Sequence, residues 1–281
     1  LMQNLGGGRF RNVGLEAGAA FGSMGQDQAG MGTDWADYDR DGRFDFAVSA
    51  FSGEAYSLYH NVGRIFEHAG PATGIAEATQ SALGFGVKFT DADNDGWKDL
   101  VFVNGHVYDN VAQVEPGSTY KQPSMLFLNR GGARFELATA SAGPDFGRPI
   151  LGRGLATGDY NNDGREDLLV VDYEGQVLLL KNESRAPHHW LTLDLRSSGK
   201  NRLGYGARAE VRAGSTRWVG QVSPASAYLS SSDPRIHFGL GAVTEVDSVQ
   251  VTWPDGTRQE LLRPPVDRIH RVQQAASAPA P

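Results

Sequence analysis

Oxygen-bearing side chains recur at one spacing in three nine-residue stretches of this chain, Asp37 to Asp45, Asp91 to Asp99 and Asp159 to Asp167. Asp37, Asp39, Asp41 and Asp45 stand at positions 1, 3, 5 and 9 of the first, and Asp91, Asp93, Asp95 and Asp99 at those of the second. In the third the places are taken by Asp159, Asn161, Asp163 and Asp167, and Gly42, Gly96 and Gly164 hold position 6 throughout. Side chains at 1, 3 and 5 converge on one centre only where the backbone bends sharply, which glycine permits. This is calcium-loop spacing, in which the carbonyl at position 7, here Arg43, Trp97 or Arg165, supplies a further ligand. Hard oxygen donors without His or Cys favour calcium or magnesium over transition metals, and a flexible loop with five or more protein oxygens favours calcium. About three calcium ions are expected, one per loop.

An EF-hand needs a bidentate Glu at position 12 and flanking helices. Position 12 here is Val48, Phe102 and Val170, each inside a strand-like run, so the loops join strands. Bare Asp-Gly turns with solvated charge are the simpler alternative, but three or four clustered acids without a cation repel one another.

The elements that must position these loops are legible around them. A glycine pair precedes each, at Gly30 and Gly32, Gly84 and Gly86, and Gly152 and Gly154. An apolar run follows each, Phe44 to Ala50, Leu100 to Asn104 and Leu168 to Tyr173, and then a second strand that ends in Asn61, Asn129 or Asn182. Gly63 to Phe66 and Gly131 to Phe135 close the first two repeats with a turn and a further strand, and residues 1 to 10 resemble this closing part. Short strands and Gly turns at a period near 50 residues read as β-propeller blades. The sequence therefore reads as a fragment that begins within a repeat, carries about three and a half blades, and has an insertion over His106 to Gln122.

The repeat stops near Asn182. Beyond it come short alternating strands at Trp190 to Leu195, Ala207 to Val211, Trp218 to Val222, Ile236 to Leu240, Val246 to Trp253, Arg258 to Leu262 and Ile269 to Val272. Such a run suggests a small β-sandwich. The expected fold is all-β: a partial propeller over 1–183, a sandwich over 184–274 and a disordered tail over 275–281.

Composition narrows the function. Eleven of the 33 carboxylates occupy ligand positions in the loops, which accounts for much of the net charge of −7. No Lys/Arg cluster offers the phosphate contacts that nucleic-acid binding requires, and no apolar run of about 18 residues offers a transmembrane segment. With no cysteine, disulfides, zinc-thiolate sites and thiol nucleophiles are excluded. His188 and His189 lack a carboxylate cluster and read as junction packing; His106 reads as an anchor for the insertion and His237 as a structural strand residue. Trp35, Trp97, Trp190, Trp218 and Trp253 fall in or beside strands, where packing is the default role and sugar stacking the lesser one. Gly152-Arg153-Gly154 with Gly158 has the wrong spacing for a dinucleotide fingerprint, and neither G-x-S-x-G nor H-E-x-x-H occurs.

The three loops resemble those of FG-GAP/VCBS propeller repeats, and the second half resembles the ASPIC/UnbV domain, the pairing found in relatives of cartilage acidic protein. The resemblance rests on Asn104 to Tyr108, Asn201 to Arg208, Tyr228 to Ser231, His237 to Gly241 and Val251 to Gly256, with Tyr205 where the family more often has an aliphatic residue. It implies a secreted or cell-surface, calcium-binding propeller that serves as an adhesion or interaction module toward an extracellular protein or glycan, with a signal peptide in a preceding region. The absence of the cysteines found in animal relatives suggests a bacterial source. No catalytic constellation is visible, so a non-enzymatic role is expected; a carbohydrate- or polymer-acting enzyme, its catalytic residues in preceding blades, is the alternative.

Overall fold

The computed structural model describes residues 1–223 and 225–275. A hairpin of β1 (Met2–Gly6) and β2 (Arg9–Asn12) comes first. The first four-stranded sheet, blade 1, holds β3 (Thr33–Ala36), β4 (Asp45–Val48), β5 (Ser57–Asn61) and β6 (Phe66–His68) in sequential order. Blade 2 repeats it with β7 (Gly84–Thr90), β8 (Asp99–Asn104), β9 (Met125–Asn129) and β10 (Phe135–Leu137). Blade 3 has β11 (Gly152–Gly158), β12 (Asp167–Asp172) and β13 (Val177–Leu180). The acidic loops join the first and second strands of these blades. Each glycine pair opens or immediately precedes an innermost strand, an element that the apolar runs do not mark.

The C-terminal strands form two further sheets. One has the order β17 (Ile236–Gly241), β14 (His189–Arg196), β20 (Arg268–Gln273), the last pair parallel. The other runs β16 (Thr216–Gln221), β15 (Arg208–Ala213), β18 (Ser248–Thr252), β19 (Arg258–Leu262). The fold is all-β, with five sheets in a β-propeller arrangement of five blades. This differs from the expected three and a half blades with a sandwich standing apart. The acidic-loop signature ends at Asp167, so a count based on it could not include the last two sheets. The expected disordered tail lies, from residue 276, outside the described residues.

Strand alternation explains the blade stacking. Every residue of β8 is buried, because successive side chains point to opposite faces and both faces are covered. Leu100 and Phe102 pack with Ala47, Leu58 and Val87, whereas Val101 and Val103 pack with Leu155 and Val170. A third apolar core, including Leu191, Val211, Trp218, Phe238 and Val249, lies between the two C-terminal sheets. Segment 226–233 leaves those sheets to lie along the innermost strands. Ala227 N donates to Thr33 O (3.1 Å), Asp233 N donates to Thr157 O (2.9 Å), and Ser230 and Ser232 hydroxyls accept the N–H groups of Leu155 and Thr157.

An Asn at the end of the third strand, or two residues beyond it in blade 3, clamps the loops. Asn129 Nδ2 donates to Lys98 O in its own blade (3.0 Å) and to Tyr38 O in loop 1 (2.8 Å). Asn182 Nδ2 donates likewise to Glu166 O (3.2 Å) and to Ala92 O in loop 2 (2.8 Å), and Asn61 Nδ2 to Phe44 O (3.0 Å). Asn129→Ala strands buried carbonyls across two blades and is expected to destabilise the protein by about 1–3 kcal/mol. Asn61→Ala breaks a clamp within one blade and should cost less; equal shifts in denaturant midpoint would contradict the inter-blade role.

Candidate metal centre

All three loops share one backbone. The residue at position 4 is left-handed in each, Arg40, Asn94 and Asn162 at φ of 62°, 58° and 58°, and the position-6 glycines follow at 87°, 87° and 83°. These two bends fold the loop around its first carboxylate. Gly42, Gly96 and Gly164 donate their N–H to Oδ2 of Asp37, Asp91 and Asp159 at 2.9, 2.9 and 2.7 Å. The N–H groups of Arg43, Trp97 and Arg165 donate to the position-5 carboxylates of Asp41, Asp95 and Asp163 at 2.8, 2.8 and 3.1 Å.

The position-9 carboxylate tethers the loop to its blade. Asp45 accepts the N–H of Tyr38 and Asn61, Asp99 those of Ala92 and Asn129, and Asp167 those of Tyr160 and Asn182. One oxygen of each therefore faces the loop entrance and the other the third strand.

The expected ligands meet in two of the loops. Carboxylate oxygens of Asp37, Asp39 and Asp45 lie within 4.8 Å of one another, as do those of Asp91, Asp93 and Asp99. His60 adds a nitrogen beside loop 1, with Nε2 2.8 Å from Asp39 Oδ2 and 3.5 Å from Asp41 Oδ2. Loop 3 has the same fold but a sparser charge cluster. Asn161 donates to Asp163 (2.9 Å), and among the described residues no three of its carboxylates gather as in loops 1 and 2. At position 5 in two loops the Arg43 and Arg165 guanidinium groups pair with Asp41 and Asp163. Loop 2 has Trp97 at position 7, whose ring instead lies 3.7 Å beneath the Arg40 guanidinium carbon.

Electrostatics single out these carboxylates. Burial, with the neighbouring carboxylates adding to it, pushes Asp37 up to about 7 and Asp45 and Asp91 to about 8 from an ordinary 3.8. Burial raises Asp99 well above the ordinary value and raises Asp95 and Asp167 also. In Asp163 desolvation is outweighed by hydrogen bonds from Asn161 and from the Arg165 N–H, together with the Arg165 charge, and the group is lowered. Asp91 Oδ1 is buried with no hydrogen-bond partner, in a residue 1% exposed. An orphaned carboxylate oxygen within an all-oxygen cluster fits a hard cation.

Residues 197–279 match the ASPIC and UnbV family. Across most of its length the chain is also similar to cartilage acidic protein 1. Identity is 27% to the Homo sapiens protein over 269 residues, covering 91% of this chain and 37% of that protein. The Mus musculus protein is 27% identical over 269 residues and the Xenopus tropicalis protein 27% over 276, each with 91% of this chain and 38% of the relative covered. The chain thus spans less than two-fifths of the length of the relatives it matches. No helix among the described residues is long and apolar enough to cross a membrane.

Several residues of the site were missed from sequence. The clamping asparagines were visible as strand ends, but their inter-blade partners were not. Position 4 carried a signal in Asn94 and Asn162, since Asn tolerates the left-handed region better than most residues. His237, expected to be structural, is buried at loop 2: Nε2 bonds Asn94 Oδ1 (2.7 Å) and Nδ1 bonds Thr192 Oγ1 (2.9 Å). Burial lowers it to about 4, so it is neutral at physiological pH. His106 anchors the insertion: Nδ1 accepts the Tyr108 N–H (3.0 Å), which leaves Nε2 to carry the proton toward Ser52 Oγ (3.3 Å) rather than accept one from it. His188 lies at the junction as expected, bonded through Nδ1 to Asp93 O (2.7 Å).

The raised carboxylates set a pH dependence. Asp37, Asp45 and Asp91 titrate above 3.8 when folded, so between about pH 4 and about pH 8 the folded protein holds protons that the unfolded chain has released. Their stabilising contribution is present below that window and lost as pH rises through it. In chelator, the melting temperature is expected to be higher near pH 5 than near pH 8; a higher value near pH 8 would contradict this reading of the acidic clusters.

Proposed function

We propose that the chain is a calcium-stabilised propeller module that acts outside the cell as an interaction scaffold, its first three blades being of the FG-GAP/VCBS type. The observation that carries the calcium assignment is the buried, unpartnered Oδ1 of Asp91, a residue whose carboxylate gathers with those of Asp93 and Asp99. Asp37, Asp39 and Asp45 would hold a second ion, and Asp159, Asn161 and Asp167 a weaker third. The position-5 residues Asp41, Asp95 and Asp163 and the carbonyls of Arg43, Trp97 and Arg165 complete the proposed shells. Calcium supplies positive charge that lets the clustered carboxylates remain ionised, and its role here is structural. Extracellular modules bind calcium at about 10⁻⁴ to 10⁻³ M, which suits an exported protein.

The interaction role is supported by blade 3. Ala47 and Val101 are 0% and 1% exposed against the neighbouring blade, whereas Leu169, at the equivalent place in blade 3, is 43% exposed. Val171, Tyr173, Val177 and Leu179 are exposed beside it. A face built on the same alternation as the buried ones is suited to an apolar sheet of similar shape, as an inter-blade contact would provide. The two C-terminal sheets bury one shared core in this scaffold. Similarity to cartilage acidic protein 1 agrees with the extracellular reading.

Calorimetry tests the calcium assignment. At neutral pH chelator should lower the melting temperature and added calcium should restore it, while Asp91→Asn should blunt the calcium response and raise the metal-free melting temperature by removing a buried carboxylate that folds at the cost of taking up a proton. Identical melts with chelator and with calcium would refute the assignment.

A further inference from the structure

Each acidic loop is gripped from outside by the C-terminal sheets, and the grip falls on the loop's own backbone. At loop 1 the Arg217 guanidinium donates to Asp41 O and covers Gly42. Arg40 is held between Trp97, at 3.7 Å, and Trp218, at 5.5 Å from ring centroid to guanidinium carbon. At loop 2 Gly241 N donates to Asn94 O (2.8 Å), His188 bonds Asp93 O (2.7 Å), and Trp218 covers Gly96. At loop 3 Arg235 donates to Asp159 O (2.7 Å) and to Asn162 Oδ1 (2.6 Å), and Trp190 covers Gly164.

Two regularities make this more than incidental packing. The carbonyls that accept from the C-terminal sheets belong in part to Asp41, Asp93 and Asp159, residues whose side chains are among the proposed ligands. The position-4 side chains also run from loop to loop: Arg40 donates to Asp95 O and Gly96 O, and Asn94 Nδ2 donates to Gly164 O (2.8 Å). A movement of one loop is thereby transmitted to the next and to the docked sheets.

We infer that the three loops form a calcium-dependent latch for the C-terminal sheets. This rests on the calcium reading above. An ion gathers the side chains at positions 1, 3 and 5 and so holds the intervening carbonyls where Arg217, His188 and Arg235 meet them. Without it nothing draws those side chains to a common centre, and the docking acceptors are free to disperse. Linkage then works in both directions: calcium strengthens docking, and docking strengthens calcium binding by the same factor.

Reciprocity supplies the test. Arg217→Ala with Arg235→Ala removes docking donors that lie outside the loops and leaves every proposed ligand in place. Isothermal titration should show calcium affinity weakened by about five-fold or more. Affinity equal to that of the unaltered protein overturns the latch while leaving the calcium reading intact; no calcium binding by the unaltered protein overturns both. Should the double variant not fold, the unaltered protein serves, because Arg185 lies exposed in the strand-free link between blade 3 and β14. Trypsin should cut there faster in chelator than in calcium, at temperatures below the melting transition of either form. Equal cleavage rates, with calcium binding demonstrated, also overturn the latch.

Discussion

Like charges brought together away from water repel strongly, and the upper edge of these blades is organised around that repulsion. Two carboxylates about 4 Å apart repel by roughly 4 kcal/mol at an effective dielectric near 20, more than the ~1 kcal/mol that a typical hydrogen bond returns. Asp37, Asp39 and Asp45, and again Asp91, Asp93 and Asp99, are this crowded. Burial first, and the neighbouring carboxylates after it, raise the titration of Asp37, Asp45 and Asp91, while inward N–H groups from the position-6 glycines offset part of the repulsion. A proton or a cation removes it, and only a cation leaves the oxygens free to coordinate.

The loops thus have two sides with different chemistry. Inward-facing side chains gather charge, while outward-facing carbonyls and the position-4 side chains accept and give hydrogen bonds. Position 9 separates the two, since Asp45, Asp99 and Asp167 bind backbone N–H groups at the loop entrance and at the third strand alike. The same loop geometry therefore ties strands within a blade, blades to one another, and blades to the C-terminal sheets. A short cavity of about 270 Å³ between those sheets and the inner strands is lined by opposed charges. In it Lys88 pairs with Asp34 (3.2 Å), Lys98 donates to His237 O (3.2 Å), and Glu166 accepts from Thr90 (3.0 Å).

Much of this was legible from residue order. The apolar runs Leu100 to Asn104 and Leu168 to Tyr173 became β8 and β12 within a residue or two, and all seven C-terminal strands formed close to their expected bounds. Innermost strands such as β7, Gly84–Thr90, escaped because glycine lowers strand propensity locally; the close approach of neighbouring chains is what favours it there. His237 reads as an ordinary strand residue until Asn94, 143 positions earlier, is placed beside it.

By itself the sequence determined the loops and the blade pattern, because both depend on contacts among residues a few places apart: a carboxylate and the N–H five residues on, a side chain and its neighbour two along the strand. Tertiary structure alone decided that the last two sheets join the arrangement and cover all three loops. Those contacts, Arg217 to Asp41, Arg235 to Asp159 and Trp190 to Gly164, join residues widely separated in the chain, where no local spacing can encode a partner. It also decided which faces remain open, since Leu169 and Val101 occupy the same place in their strands and differ only in what packs against them.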